Sequence, residues 1–353
     1  MRKLNMKLAL AALHLSLLAI PLTLSGEEAE SKDSSCGGMS LEVGIDFIYW
    51  KPCVDDLDFA LVSDDIIDPE APAPLVAESG AVVGKYRYLH PHGQGGVKAR
   101  LGKSDIWNGW DFFFSYTYAA SSACGCALES PPGHAWPTLM HAQNTFAGNS
   151  VCGKYRLHYQ EFDALLSHKV DCGACGYLVP FFGFDSLFLY QNLKSEATDV
   201  VDTIIGRSNW RSDLSGAGLK VGCEYRFEIT DGLGVYTKAS GALLAAQDCS
   251  HYRSERENIE EGVNVPLSEG ELKFKSKENI IVPGYALGIG AYYRMESEEL
   301  KAGIHIGYEF VQWFNIPNQR RFPAGGESLA RHYSNTTSQL GFHGVTAGFD
   351  IGF

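Results

Sequence analysis

The most constraining stretch of the chain is its end. Leu340 to Phe353 reads LGFHGVTAGFDIGF, and counting back by twos from the terminus gives Phe353, Ile351, Phe349, Ala347 and Val345. Gly352, Asp350, Gly348, Thr346 and Gly344 stand between them. A period of two sends successive side chains to opposite faces of a sheet, so this is a strand with one apolar and one small or polar face. A soluble protein rarely finishes on its best hydrophobic strand. The competing reading at this point is the last strand of a soluble sandwich.

The other end agrees with export. Arg2, Lys3 and Lys7 precede an apolar run from Leu8 to Leu24, and Ser25 and Gly26 lead into the acidic stretch Glu27 to Asp33. Charge, length and exit are those of a secretory signal peptide over residues 1–26. A periplasmic segment follows over 27–40. Pro21 and the shortness of the run count against a retained anchor. The first cysteine is Cys36, so no lipidated cysteine follows the cleavage point directly.

Beyond the leader the most apolar stretch, Tyr177 to Tyr190, is interrupted by Pro180, Gly183 and Asp185, which rules out a spanning helix there. Aromatics at 12% and 38 glycines suit many short strands with tight turns. The chain has a formal charge of −13; losing Arg2, Lys3 and Lys7 leaves 26 Lys plus Arg against 42 Asp plus Glu, or −16. That sign is wrong for phosphate backbones, so no nucleic-acid partner is expected.

Alternation marks ten strands, with connections of two sizes. The first, Leu41 to Lys51, opposes Val43, Ile45, Phe47 and Tyr49 to Glu42, Gly44 and Asp46. Others follow at about 96–102, 110–118, 154–170, 177–191, 218–229, 233–246, 285–293, 301–310 and 340–353. A change of phase near Gln160 and Glu161 reads as a β-bulge. Five connections are long, including the polar stretches 193–212 and 247–278, and four are short. Hydrocarbon offers no partner for backbone N–H and C=O groups, so a sheet can span it only when closed on itself. An even strand number, alternating long and short links and both termini on one side fit an antiparallel transmembrane β-barrel over residues 41–353, with ten strands and eight or twelve as alternatives. Tyr49, Trp50, Trp110, Tyr118, Tyr293 and Trp313 would then form interfacial girdles.

The closing strand resembles those of bacterial outer-membrane barrels, a likeness that implies recognition of Phe349, Ile351 and Phe353 by the barrel-insertion machinery. VGIDFIYWKP, Val43 to Pro52, followed by Asp55, Leu57, Phe59 and Ala60, resembles the opening of the pore-forming major-outer-membrane-protein family of Legionella and chlamydia-like bacteria. The cluster Trp107, Gly109, Trp110, Asp111 leading to Tyr116 and Thr117 is a second match, and Phe181, Phe182 and Gly183 a looser third. The resemblance implies an outer-membrane barrel that forms a pore. The long cysteine-bearing loops depart from the family's shorter members.

The positions assigned to the lumen carry both signs: Asp46, Asp111, Asp163, Asp185, Glu224, Glu309 and Asp350 with Lys98, Arg100, Lys220, Arg226, Lys238, Arg294 and Lys301, and His305 among them. Such a lining suits a water-filled channel for small hydrophilic solutes and ions. Small barrels are also filled by their own inward side chains, so a salt-bridged, non-conducting barrel is the alternative. Gly288, Gly290, Gly303 and Gly307 are read as leaving space in the lumen.

All nine cysteines survive signal cleavage. Disulfides are the default chemistry of an exported protein, for Cys36, Cys53, Cys124, Cys126, Cys152, Cys172, Cys175 and Cys249. Cys223 lies within a strand. The odd count, with the resemblance to chlamydial envelope proteins, implies cross-links to neighbouring subunits or envelope proteins. Cys172-x-x-Cys175 has no second pair at zinc-finger spacing and no histidine beside it. No G-x-S-x-G elbow occurs, and His134, His141, His251 and His332 fall in predicted external loops, so no catalytic residue, metal or cofactor is expected. The sum is an outer-membrane porin with disulfide-bonded loops; the alternative is a structural barrel or adhesin acting through those loops.

Overall fold

The computed structural model describes residues 41–63, 84–128, 134–141, 144–146, 148–173, 176–199, 204–260, 263–266, 271–297, 300–319 and 337–353. The expected leader, the segment to residue 40, Cys36, Cys175 and His332 lie outside them. Ten long strands dominate: β1 Leu41–Val54, β2 Gln94–Trp107, β3 Trp110–Leu128, β4 Gly148–His168, β5 Gly176–Asp199, β6 Ile204–Thr230, β7 Leu233–Glu260, β8 Leu272–Glu296, β9 Lys301–Pro317 and β10 Thr337–Gly352.

Each strand pairs antiparallel with the next, and β1 pairs with β10, so the sheet closes as a ten-stranded barrel. At the seam Ile45 faces Phe349 on one side and Ala99 on the other. Reciprocal bonds between Leu41 and Phe353, at 3.1 and 3.0 Å, tie the first strand to the last residue. The hairpins at Asn108–Gly109 and at Gly232 turn through positive φ, which glycine and asparagine adopt most cheaply.

The strands outrun the expectation. About ten residues suffice to cross a bilayer, yet β6 has 27 and β7 has 28. Most of the stretches read as polar loops, 193–212 and 247–278, are the outer parts of β5 to β8. Nor is there a bulge at Gln160 and Glu161, where β4 keeps unbroken register with both neighbours. What changes there is which face is apolar. Toward the short turns, Phe182, Phe184, Leu219 and Val221 point outward and are exposed. Beyond that point Val151, Tyr155, Leu157, Leu193, Trp210 and Leu214 point inward and are buried.

Three short strands extend the sheet at the outer end. His134–Pro137 joins β4 through Ala135 and Gly148, Asp58–Ser63 pairs with it, and Lys85–Tyr88 pairs in turn. Two further pieces, Val170–Asp171 and Val263–Pro266, edge β5 and β7. Phe59 and Leu89 pack inside the barrel wall where β3 and β4 offer glycines: a Cβ on Gly153 would lie 2.8 Å from Phe59, and one on Gly125 3.3 Å from Leu89.

Candidate functional site: the lumen

Alternation directs every second residue of a barrel strand inward. On the side of the short turns those residues surround a cavity of about 330 Å³. Asp46, Lys98, Arg100, Asp111, Asp163, Lys220, Glu224, Arg226, Lys238, Arg294, His305, Glu309 and Asp350 all line it. Lys301 does not; it stands exposed at the start of β9, where the strand leaves the turn.

The charges are paired across strands. Lys98 Nζ donates to both Glu309 oxygens at 2.9 Å, and Arg100 Nη2 to Asp46 Oδ1 at 3.1 Å. His305 lies between two acids, Nε2 3.2 Å from Asp46 and Nδ1 3.6 Å from Asp350. Arg226 donates to Glu224, two residues along the same face. Lys220 reaches three carboxylates: Glu161 at 2.6 Å, Asp163 at 2.8 Å and Asp185 at 3.5 Å. Ligand oxygens of that trio lie within 4.8 Å of one another, a spacing that could hold a metal ion. The Lys220 ammonium occupies the place a cation would take. Buried charges persist when paired and hydrogen-bonded; the pairs meet most of that demand, but Asp185, with only the ion pair to Lys220, has no hydrogen bond at either oxygen among the described residues, nor has Arg100 Nε. Lys238 has a ring instead, lying 5.2 Å over Phe181.

The outer limit of the cavity is an aromatic layer. Trp50 packs on Tyr159 and Phe342 with ring centroids 6.1 and 5.5 Å apart, and Tyr159 on Phe342 at 4.8 Å. Trp313 Nε1 donates to the Tyr159 hydroxyl at 3.2 Å, and that hydroxyl donates to Glu161 at 2.6 Å. All four rings are buried. Trp50 and Trp313 therefore correct the expectation of interfacial girdles, whereas Tyr49 and Tyr293 are exposed on the outer surface. The lumen glycines are corrected too. Tyr236 fills the room at Gly290 and Gly307, where a Cβ would meet it at 2.7 and 2.4 Å, and Asp350 abuts Gly303. Only Gly288 of the four has clear space around it.

Beyond the aromatic layer the lumen is packed. Segments of the first two outer connections fold inward and are tied to the wall. Thr138 Oγ1 donates to Asp58 O at 3.0 Å, joining the two segments; Tyr252 OH on β7 donates to Leu139 O at 2.8 Å, and Gln319 Nε2, just past β9, to Asp56 O at 3.1 Å. His141, expected in an external loop, belongs to this packing and is buried, while His134 and His251 lie in strands. Of the cysteines, Cys126 and Cys152 are disulfide-bonded across β3 and β4. Cys53, Cys124, Cys172, Cys223 and Cys249 carry free thiols, all but the half-buried Cys249 exposed. Phe349 and Phe353 are exposed on the outer surface.

The model of the Legionella pneumophila major outer membrane protein precursor family matches residues 34–353. The chain belongs to the Legionella major outer membrane protein family. With a closed barrel, membership places it in the bacterial outer membrane. No curated protein sequence is significantly similar to this family member. Two solved barrels are similar in fold. The outer membrane protease OmpT from Escherichia coli matches at 10% identity over 92% of this chain and 99% of its own, with a TM-score of 0.43. A Pseudomonas aeruginosa FadL homologue matches at 8% identity over 89% and 90%, with a TM-score of 0.25. At these scores neither likeness bears on what the Legionella-type barrel does.

Alternation alone places the charged residues of this family member in the lumen but not the layer that closes them off. Glu161, Tyr159 and Phe342 were absent from the expected site. The phase change at Gln160 was the available signal, since it marks where the inward face turns from charged to aromatic.

Proposed function

We propose that the chain forms a restricted diffusion pore for small hydrophilic solutes and ions, closed in this conformation at the layer of Trp50, Tyr159, Trp313 and Phe342. The observation that carries this reading is the charged vestibule: side chains of both signs around about 330 Å³ of space. A lining of that kind replaces part of an ion's hydration and sets its preference. Lys98, Arg100, Lys220 and Arg226 hold the vestibule's acids in ion pairs, so the reading is a non-catalytic one. An added structural role rests on the exposed thiols of Cys53, Cys124 and Cys172, which would link to neighbouring envelope proteins. Non-reducing gels of outer membranes showing monomer alone would remove it.

The depth of the packing beyond the aromatic layer favours a second reading, a structural barrel that does not conduct. Planar-bilayer recording separates the two. For the pore, the wild type gives rare, small openings, and a Trp50→Ala, Trp313→Ala double variant opens several-fold more often. Silence in both proteins, with the heat-modifiable gel shift of a folded barrel intact, leaves the structural barrel standing.

A further inference from the structure

The outward face of the barrel's outer half carries a charge opposite to that of the chain. Register aligns Lys154 with Lys194, and, across Asn209, Arg253 with Lys273 in the same row. The adjacent row, one alternation nearer the membrane, holds Arg156, Arg211 and Lys275, and Lys277 lies in the row after that. Eight cations thus face outward in three rows across β4 to β8, with a single carboxylate, Asp213, among them. The whole chain is −13. Neighbouring strands stand about 4.8 Å apart, so the patch is about 20 Å wide.

Part of this charge is neutralised and part is not. Arg211 pairs with Asp213, Arg253 with Glu255 and Glu271 from the row beyond, and Lys273 with the same Glu271. Lys154, Arg156, Lys194, Lys275 and Lys277 have no ion pair among the described residues. All five are exposed. Like charges held this close on a fixed sheet repel, and an anion between them relieves that.

Directly below, toward the membrane, the outward positions shrink. Ser186, Ser215, Ala217 and Ala245, with Phe188 and Ile281 at the margins, leave a depression of about 610 Å³ on the outer surface. It begins where the exposed apolar belt of Phe184, Leu219 and Leu243 ends. A shallow apolar trough beneath a cluster of cations matches one kind of molecule: an acyl chain carrying a phosphorylated headgroup. Long connections mark this as the external side, so the molecule belongs to the outer leaflet.

We propose that this surface binds the lipid A portion of lipopolysaccharide, its phosphates on Lys154, Arg156, Lys194 and Lys275 and one acyl chain in the trough. Lysine and arginine bind phosphate through charge-assisted hydrogen bonds, and the arrangement adds no demand on the lumen. The proposal is independent of whether the barrel conducts.

Native mass spectrometry of the full-length folded protein tests it, with bisphosphorylated lipid A and its dephosphorylated form as probes. The wild type retains the phosphorylated lipid and releases the other. A Lys154→Ser, Arg156→Ser, Lys194→Ser variant weakens retention by about tenfold, which is about 1.4 kcal/mol. A Lys103→Ser, Lys301→Ser control at the opposite end leaves it unchanged. Equal retention of the two lipids by the wild type, or of the phosphorylated one by the triple variant, overturns the proposal. So does displacement of the lipid by inorganic phosphate at concentrations comparable to the lipid's own. Should the triple variant not fold, the wild-type comparison of the two lipids still decides.

Discussion

Along a single strand, β6, two halves obey opposite rules. From Leu219 to Phe227 the odd residues Leu219, Val221, Tyr225 and Phe227 face out, exposed in the isolated chain, and Lys220, Glu224 and Arg226 face in. From Arg207 to Leu214 the odd residues Arg207, Asn209, Arg211 and Asp213 face out, and Trp210 and Leu214 are buried inside. The first half is an inside-out protein in a lipid solvent; the second is an ordinary water-soluble barrel with an apolar core. No break in register separates them. The backbone is therefore indifferent to the solvent, and only the phase of the side chains records where hydrocarbon ends.

The sharpest way to break this comparison is to truncate the inner face of the outer half. Trp210→Ala removes a large ring at 3% exposure, and cavity formation on that scale costs about 3–5 kcal/mol. Lys154→Ala, on the outward face of the same half, should stay within about 0.5 kcal/mol. Denaturant unfolding of vesicle-embedded protein reads both. Equal effects would mean the outer half has no core of its own.

In the membrane half the sensitive face is the other one. Val221→Arg or Ile304→Arg puts a guanidinium among residues 64% and 59% exposed, and near the bilayer midplane that costs about 2–4 kcal/mol. The same unfolding assay applies. Asn209→Asp, twelve residues from Val221 along β6 and facing the same way, keeps the oxygen that accepts from Asn192 Nδ2 and sets a carboxylate between Lys194 and Arg253, so it should cost less than about 0.5 kcal/mol. A large penalty at Asn209 would place hydrocarbon beyond the change of phase and defeat the division.

How much of this was legible in the sequence follows from the same contrast. Where lipid contacts one face, the apolar residues recur at every second position without interruption, as in Val221 to Ile229 or Ala302 to Phe310, and strand, face and lumen charges can all be read. In the outer half the alternation is just as strict but inverted. Arg207, Asn209, Arg211 and Asp213 look like a polar loop to a reader expecting apolar residues on the face that continues from Leu219. The inward aromatics were hidden for a different reason. Trp50 and Trp313 sit near strand ends in the sequence, where an interfacial position is the usual assignment, and only the barrel's closure shows that their parity points inward. The paired charges survived because parity alone fixes them; their partners, such as Lys220 with Glu161 from a distant strand, depend on register around the wall.

The inward-folded connections sharpen the comparison at a smaller scale. Gly153 has Phe59 within 2.8 Å of where a Cβ would be, so Gly153→Val forces the segment Asp58–Ser63 to shift, at about 1–3 kcal/mol for overpacking. Limited proteolysis should then cleave between Asp55 and His92 at lower protease concentration than in the wild type. Unchanged cleavage would show that the segment is not held by the wall. The membrane half, which holds no such inserted segment among the described residues, should be untouched, and its lipid-facing Val221 gives the reference.

The smallest expected effect concerns ion pairs on the two sides of the wall. Arg253 on the outer surface contacts Glu255 at 2.6 Å and Glu271 at 2.9 Å, but its side chain is 52% exposed. Water and salt screen such pairs, and exposed ones are typically worth about 0–1 kcal/mol. Arg253→Ala should therefore leave the unfolding midpoint nearly unchanged, and raising the salt concentration should shrink any residual difference further. Lys98 with Glu309 is the counterpart in the lumen, at 17% and 19% exposure. There the removal of one partner strands a carboxylate away from water, which screening by salt does little to relieve. A loss at Arg253 as large and as salt-insensitive as one at Lys98 would mean that the outer surface is not solvated as its side chains imply, and that lipid reaches farther up the barrel than the change of phase allows.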